Sequence, residues 1–254
     1  MESIIIKDKS KNVNINITLE TITCIIGSNG SGKSLMLDNI YKTIKNDDKT
    51  VYYLSQSLDD EVYSVTILDD LKSLFNKEIK DSNNVLKYIS NALKLVGLDR
   101  CYLEMDPIEL NEIELQKFNL AKMFLSNCDI LLLDEPTLLL NSSDKNNFIK
   151  IIKKFKRNYH KTIVIATNDI ELVNMIGDNI IIINGKEIIQ DEKNELFKDI
   201  NIFNNNKINL PNIIKFSELA HEEKGIQYRP RNDINDLIKD ILRSIDLSSK
   251  GDPK

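Results

Sequence analysis

Apolar and polar positions alternate in blocks along this chain, and the blocks define most of its elements. Ile22-Thr23-Cys24-Ile25-Ile26 runs without a charged side chain to Gly27 and reads as a buried strand. From Ser34 to Ile44 the spacing changes to that of a helix, with Leu35, Leu37, Ile40, Tyr41 and Ile44 as the inward positions. Val51 to Leu54 is a second short strand. Between residues 57 and 127 the pattern is helical, with helices expected at Ile67 to Phe75, Asn83 to Val96 and Glu114 to Leu125. Gly97 stands where the middle one should stop.

Strand character returns at Asp129 to Leu133 and again at Thr162 to Ala166. Between them lies a helix over Ser143 to Lys156, with Ser142 or Ser143 as its cap. A short helix from Asp169 to Ile176 precedes a hairpin, Ile180 to Ile183 and Glu187 to Ile189, turning at Asn184-Gly185. Further helices are expected at Glu192 to Phe197, Ile213 to Glu223 and Ile234 to Ile245. Strands alternating with helices imply an α/β fold with a mostly parallel sheet covered on both faces. The expected layout is a domain over 1–190 with a helical subdomain inserted at about 57–127, a helical extension over 191–247 and a polar tail over 248–254.

Two segments carry chemistry. Gly27-Ser28-Asn29-Gly30-Ser31-Gly32-Lys33-Ser34 fits the spacing G-x-x-x-x-G-K-[ST] and lies between the first apolar strand and a helix, followed by Leu35. Glycines there let backbone N–H groups converge on phosphate oxygens, and the helix start adds the positive end of its dipole. Lys33 is placed to bridge the terminal phosphates of ATP, and the Ser34 hydroxyl to ligate Mg²⁺. The second segment is Ile130-Leu131-Leu132-Leu133-Asp134-Glu135-Pro136, an apolar strand ending in two carboxylates. Asp134 is placed to hold Mg²⁺ through water, and Glu135 to polarise an attacking water as general base.

Taken in order, the glycine loop, then Gln56 after a strand, then Leu131-Leu132-Leu133-Asp134-Glu135-Pro136-Thr137 resemble the ABC transporter ATPases. The resemblance implies a nucleotide-binding domain of the P-loop NTPase fold. It also implies that Gln56 touches Mg²⁺ and senses a membrane partner. Within that family the chain is most similar to the ATPase subunits of energy-coupling factor transporters, which drive uptake of vitamins and metal ions. The stretch from Gln56 to Leu71, Asn91 to Leu98, and the tail with Glu195-Leu196-Phe197 and Leu210-Pro211 carry that closer likeness.

The chain departs from the family at three places. The signature L-S-G-G-Q, which caps the γ-phosphate bound on the opposite subunit, falls on Leu110-Asn111-Glu112-Ile113-Glu114. Only the leucine is kept, and Glu112 and Glu114 bring negative charge towards a polyanion. The aspartate expected after the Asp134 strand is Asn141. The switch histidine is Asn168, which still offers a hydrogen bond but no charge. No aromatic residue precedes Gly27 to stack on adenine.

A homodimer would thus hold two sites with poor signatures. A heterodimer with a second ATPase subunit would join this chain's Lys33, Asp134 and Glu135 to an intact signature, and is the arrangement expected. The other partners implied are a transmembrane coupling protein and a substrate-binding membrane subunit, at the cytoplasmic face of the membrane. Two other readings are a nucleotide-holding regulatory subunit with little turnover, and a soluble ABC protein of repair or translation. Glu135 speaks against the first, because a pure binder needs no base. The lack of a second nucleotide domain or long coiled coil speaks against the second.

Composition changes this picture little. The 254 residues are 41% apolar and carry a net charge of −5, with acids and bases interspersed, so a nucleic-acid partner is not expected. Cys24, Cys101 and Cys128 have no metal or disulfide spacing, and a reducing compartment suits them. His160 and His221 are isolated and read as surface residues. No signal peptide and no membrane-spanning run is evident.

Overall fold

The computed structural model describes residues 2–8, 13–45, 49–55, 63–75, 83–185, 187–224 and 238–239. Its centre is a six-stranded sheet in the order β4-β5-β6-β3-β7-β8. The strands are β3 (Ile22–Ile26), β4 (Val51–Leu54), β5 (Ile130–Asp134), β6 (Thr162–Ala166), β7 (Asn179–Asn184) and β8 (Glu187–Glu192). The first five in that spatial order are parallel, and β8 closes one edge as an antiparallel partner of β7. Every residue of β3, β5 and β6 is buried, which is why these strands read as unbroken apolar runs.

Successive side chains point to opposite faces of a strand, so the sheet divides its residues between two cores. On one face Cys24, Ile26, Leu131, Leu133, Ile163, Ile165, Ile180 and Ile182 join the main cluster. That cluster is filled from α3 (Asn83–Val96), α4 (Glu112–Leu125), α5 (Ser142–Tyr159) and α6 (Ile170–Ile176). On the other face Ile25, Leu132, Val164, Ala166, Ile181 and Ile183 meet Met36, Leu37, Ile40 and Ile44 of α1 (Lys33–Ile44). A separate hairpin, β1 (Ser3–Asp8) and β2 (Val13–Thr18), adds Ile6, Ile15 and Ile17 to this second core. This hairpin lies ahead of Ile22, where the first strand is expected from sequence. Its signal is the period-two alternation Val13-Asn14-Ile15-Asn16-Ile17-Thr18.

Between β4 and β5 the described residues are helical or irregular: α2 (Ile67–Ser73), α3, two short 3₁₀ turns at Arg100–Glu104 and Pro107–Glu109, and α4. After β8 come α7 (Lys193–Leu196), α8 (Ile200–Asn205), which the sequence reading omits, and α9 (Asn212–Lys224). Leu196, Phe197, Phe203, Leu210 and Ile214 are buried in the main core with the sheet. The helix expected over 234–245 lies outside the described residues apart from 238 and 239.

Several local expectations shift. Leu35 points to solvent, 57% exposed, and Met36 takes the inward position. The cap of α5 is Asn141, whose side chain accepts from the Asp144 amide, and neither Ser142 nor Ser143 serves. Asn is as good a cap as Ser, and the seat went to the residue with extended backbone. In the β7–β8 hairpin Asn184 pairs with Glu187, so Asn184 belongs to the strand and the turn begins one step later than expected, at Gly185. Gly185 has φ of 58°, the left-handed region that favours glycine. Cys24 and Cys128 are buried and Cys101 is exposed. Burial pushes the Cys24 thiol up to about 12, so it is inert as a nucleophile. No helix among the described residues is long and apolar enough to cross a membrane.

Candidate active site

The adjacent strands β5, β6 and β3 end on the same edge of the sheet, and the loops after them meet there. This is where parallel α/β sheets gather their ligands, because the carboxyl ends of the strands open onto helix N-termini. The loop after β3 is Gly27 to Gly32. Gly30 and Gly32 take φ of 76° and 99°, which curls the backbone so that it closes on itself through Ser31 N donating to Ser28 O at 3.1 Å.

Gly32 is the cap of α1 and supplies no side-chain hydrogen bond. The first-turn N–H groups of Lys33, Ser34 and Leu35 have no side-chain cap and are donors for an anion. Leu35 belongs to the loop through its backbone position at this turn, its side chain being exposed.

Lys33 is nearly buried, at 8% exposure, and folds back along the loop. Its Nζ donates to Gly27 O at 3.0 Å and Ser28 O at 3.3 Å. Burial lowers its pKa, while Glu135 and Asp134 pull the other way. A cation enclosed by carbonyls and facing two carboxylates suits an incoming triphosphate.

Asp134 ends β5 and is 4% exposed. Its carboxyl is pushed up by burial, against a hydrogen bond from Ser34 and the charge of Lys33. Its Oδ1 is buried without a hydrogen-bond partner. An orphaned, desolvated carboxylate oxygen beside a serine hydroxyl is a hard-oxygen donor pair that fits Mg²⁺, which usually keeps its remaining ligands as water and phosphate.

The backbone of Glu135 is the least expected feature of the site. Its φ is 45°, a left-handed conformation for a residue with a Cβ, which costs about 1–2 kcal/mol. The surroundings enforce it. Its N–H donates to Ala166 O at 2.9 Å, the Thr167 hydroxyl to Oε2 at 2.9 Å and the Asn168 N–H to Oε1 at 2.9 Å. Burial raises the carboxyl, and the bonds from Thr167 and Asn168 and the charge of Lys33 partly offset it. Asn168 also donates from Nδ2 to Asn29 Oδ1 at 2.6 Å, joining the β6 loop to the glycine loop.

The structure therefore brings together Gly27 to Leu35, Asp134, Glu135 and Asn168. Gln56 lies outside the described residues, two positions beyond the end of β4. Thr167, fully buried and bonded to Glu135, is a site residue the sequence reading missed. Nothing in the sequence marks it, because its role depends on β6 lying beside β5.

Of the stretch Leu110 to Glu114, Leu110 ends the second 3₁₀ turn, Asn111 is the cap of α4 and Glu112 to Glu114 open the helix. Asn111 caps the helix, accepting from Ile113 N and Glu114 N, while Glu114 reaches back to Asn111 N at 3.0 Å. The other Glu114 oxygen accepts from Tyr102 OH at 2.7 Å. Those two bonds hold the Glu114 carboxyl below its usual range. Of the two acids expected to face outward, only Glu112 is free to do so. Ile113 is 49% exposed.

A strand–glycine loop–helix cradle, with a buried lysine and two carboxylates at the ends of neighbouring strands, defines a nucleoside triphosphatase of the P-loop class. Residues 10–138, just over half of the chain, match the family model described as ABC transporter. The chain belongs to the ABC transporter family and is an ATPase of the ABC type, binding ATP.

Among curated proteins it is similar to the energy-coupling factor transporter ATP-binding protein EcfA2 of Clostridium perfringens. The two are 25% identical over 242 residues, covering 86% of this chain and 84% of that one. Among solved structures it shares the fold of the dimeric bacterial ABC transporter cassette MJ0796, with a TM-score of 0.60 at 22% identity over 75% of this chain and 95% of that one. It also shares the fold of cbiO1 from Clostridium perfringens, part of the ABC transporter complex cbiONQ. That TM-score is 0.57 at 22% identity, over 82% and 91% of the two chains.

Proposed function

We propose that this chain is the ATP-hydrolysing subunit of an energy-coupling factor type transporter, driving substrate uptake through membrane-embedded partners. The observation that carries the reading is the meeting of Lys33, Asp134 and Glu135 at one glycine loop. The similarity to EcfA2 over most of both chains supports the transporter class.

In this reading the loop amides and the α1 N-terminus bind the phosphates. Lys33 exchanges its two carbonyl partners for the terminal phosphates. Ser34 and Asp134, with Gln56, would hold Mg²⁺, which would neutralise phosphate charge when bound. Glu135 accepts the proton of the attacking water through its carboxylate. Thr167 and Asn168 aim that carboxylate, and the bond to Asn29 keeps Asn168 at the mouth of the loop.

The second nucleotide surface is poorly made, which supports a heterodimer. A signature glycine brings a bare backbone N–H to phosphate, whereas here Ile113 stands exposed and Glu112 is charged. Behind Glu112, the amides of Ile113 and Glu114 are already taken by Asn111. A partner ATPase with an intact signature would complete one working site. The chain would then sit peripherally on the cytoplasmic face, bound to a coupling protein, with a separate membrane subunit choosing the substrate.

The same features favour a second reading, a nucleotide-holding regulatory subunit with little turnover. The complex purified through a tag on this chain separates the two. Glu135→Gln should abolish most ATP turnover while keeping nucleotide binding. Unchanged turnover would show that the catalytic site lies elsewhere and would leave the regulatory reading.

A further inference from the structure

Gln116 lies on α4, five residues beyond the Asn111 cap, and is buried at 6% exposure. Both ends of its amide are used. Nε2 donates to Glu135 O at 3.3 Å, and Oε1 accepts from Leu139 N at 3.0 Å. These two main-chain groups bracket the turn that follows β5. Inside it Leu138 N donates to Glu135 O at 3.1 Å, and just beyond it Leu140 N donates to Thr137 O at 3.2 Å. The turn thus begins at the strained Glu135 and leads into the Asn141 cap of α5.

A glutamine side chain meets both demands at any pH. Glutamate accepts at both oxygens when ionised and has no donor for the carbonyl; methionine has the length but neither polar function; asparagine is one methylene short. A buried amide satisfied at both ends is also costly to strip of its partners. Gln116 is therefore a rigid strut between α4 and the backbone of Glu135. Its other connection is through the helix itself. About 7.5 Å along the axis, at a rise of 1.5 Å per residue, α4 begins with Asn111 to Glu114.

We infer that Gln116 is a positioning residue that couples the place of α4 to the aim of the Glu135 carboxylate. Force applied at the Asn111 end by a second subunit reaches the Glu135 main chain through that amide. The inference rests on the reading of Glu135 as the base. The strut acts on the Glu135 carbonyl, while the end of β6 holds the Glu135 N–H through Ala166 O and the loop after it holds the carboxylate through Thr167 and Asn168.

The test uses the full chain in the complex purified through a tag on it, measuring kcat and KM for ATP across pH together with affinity for a fluorescent ATP analogue. Gln116→Glu should lower kcat about tenfold above the carboxylate titration range, since small misplacement of a base is costly in rate. KM and analogue affinity should stay within about twofold, because ground-state binding is untouched. On acidification the deficit relative to the unsubstituted complex should close, as the protonated carboxyl again donates to Glu135 O. Gln116→Met should be deficient at every pH.

The inference is overturned if both variants keep kcat within about twofold of the parent, or if the Gln116→Glu deficit is the same at all pH values. Should Gln116→Met fail to fold, the pH profile of Gln116→Glu still decides. Glu135→Gln run alongside separates the two claims. If it leaves kcat unchanged, the base reading fails. If it abolishes turnover while the Gln116 variants do not, only the strut fails.

Discussion

Replacing Gly27 with alanine would place a methyl carbon 2.4 Å from the Ile183 carbonyl oxygen and 2.6 Å from Ser31 Oγ. The serine hydroxyl is buried without a partner and can rotate away. The carbonyl cannot, because Ile183 is paired with Ile188 across the β7–β8 hairpin. The new carbon sits about 1 Å inside ordinary van der Waals contact, an overpacking that costs roughly 1–3 kcal/mol. For a chain of this size that lowers the midpoint of thermal unfolding by roughly 2–12 °C.

The glycine loop, not the hairpin, should yield, because fewer bonds hold it. Gly27 O then moves from Lys33 Nζ, now 3.0 Å away, and the loop amides lose their common focus. Loss of one charge-assisted hydrogen bond to phosphate is worth about 1.5–3 kcal/mol, at least tenfold in affinity. Gly30→Ala is the control. Its Cβ would meet nothing within 4 Å, and only the φ of 76° opposes it, at about 1–2 kcal/mol. Calorimetry without nucleotide and titration with a fluorescent ATP analogue read both effects. The reasoning is refuted if Gly27→Ala unfolds and binds as the parent does, or if Gly30→Ala loses more affinity than Gly27→Ala.

Other substitutions probe the remaining parts. Burial raises the Asp134 carboxyl, so the folded chain binds that proton more tightly than the unfolded one, and stability falls as pH rises from the ordinary carboxylate range through the raised value. Asp134→Asn should therefore unfold at a higher temperature than the parent near neutral pH and lose that advantage in acid, while Mg²⁺-dependent nucleotide binding disappears; a lower midpoint at neutral pH counts against this account. Asn111→Ala removes the acceptor for two α4 amides and should cost about 1 kcal/mol in urea unfolding, with no loss if the cap is unimportant. Leu132→Ala empties a fully buried position at the middle of β5 and should cost about 2–5 kcal/mol; a cost below 1 kcal/mol, on that scale, would mean the second core is loosely packed.

How much of this was legible in the sequence depends on how local each feature is. The extents of β6 and α3, and β3 from its first residue to its last, follow from runs of apolar residues and their periodicity. The glycine loop could be read because its glycines, Lys33 and Ser34 act within eight consecutive residues. Asp134 and Glu135 could be read because a carboxylate that ends a fully apolar strand has few other reasons to be there. The β1–β2 hairpin was legible in principle from its alternation, but so short a pattern without a turn signal is weak on its own.

Leu35 was misplaced because an average helical period does not say which side of α1 the sheet will occupy. Contacts between distant segments were beyond reach. Thr167 bonds to Glu135 across 32 positions, and Gln116 reaches Glu135 across 19. The left-handed backbone of Glu135 is held by β6 and α4, neither of which adjoins it in the chain. Sequence alone determined where the glycine loop and the carboxylate pair lie, since their placement comes from neighbouring residues and backbone preference. Tertiary structure alone decided how the carboxylate of Glu135 is held and what α4 is tied to, since those follow from which strands lie side by side, and no local pattern encodes that.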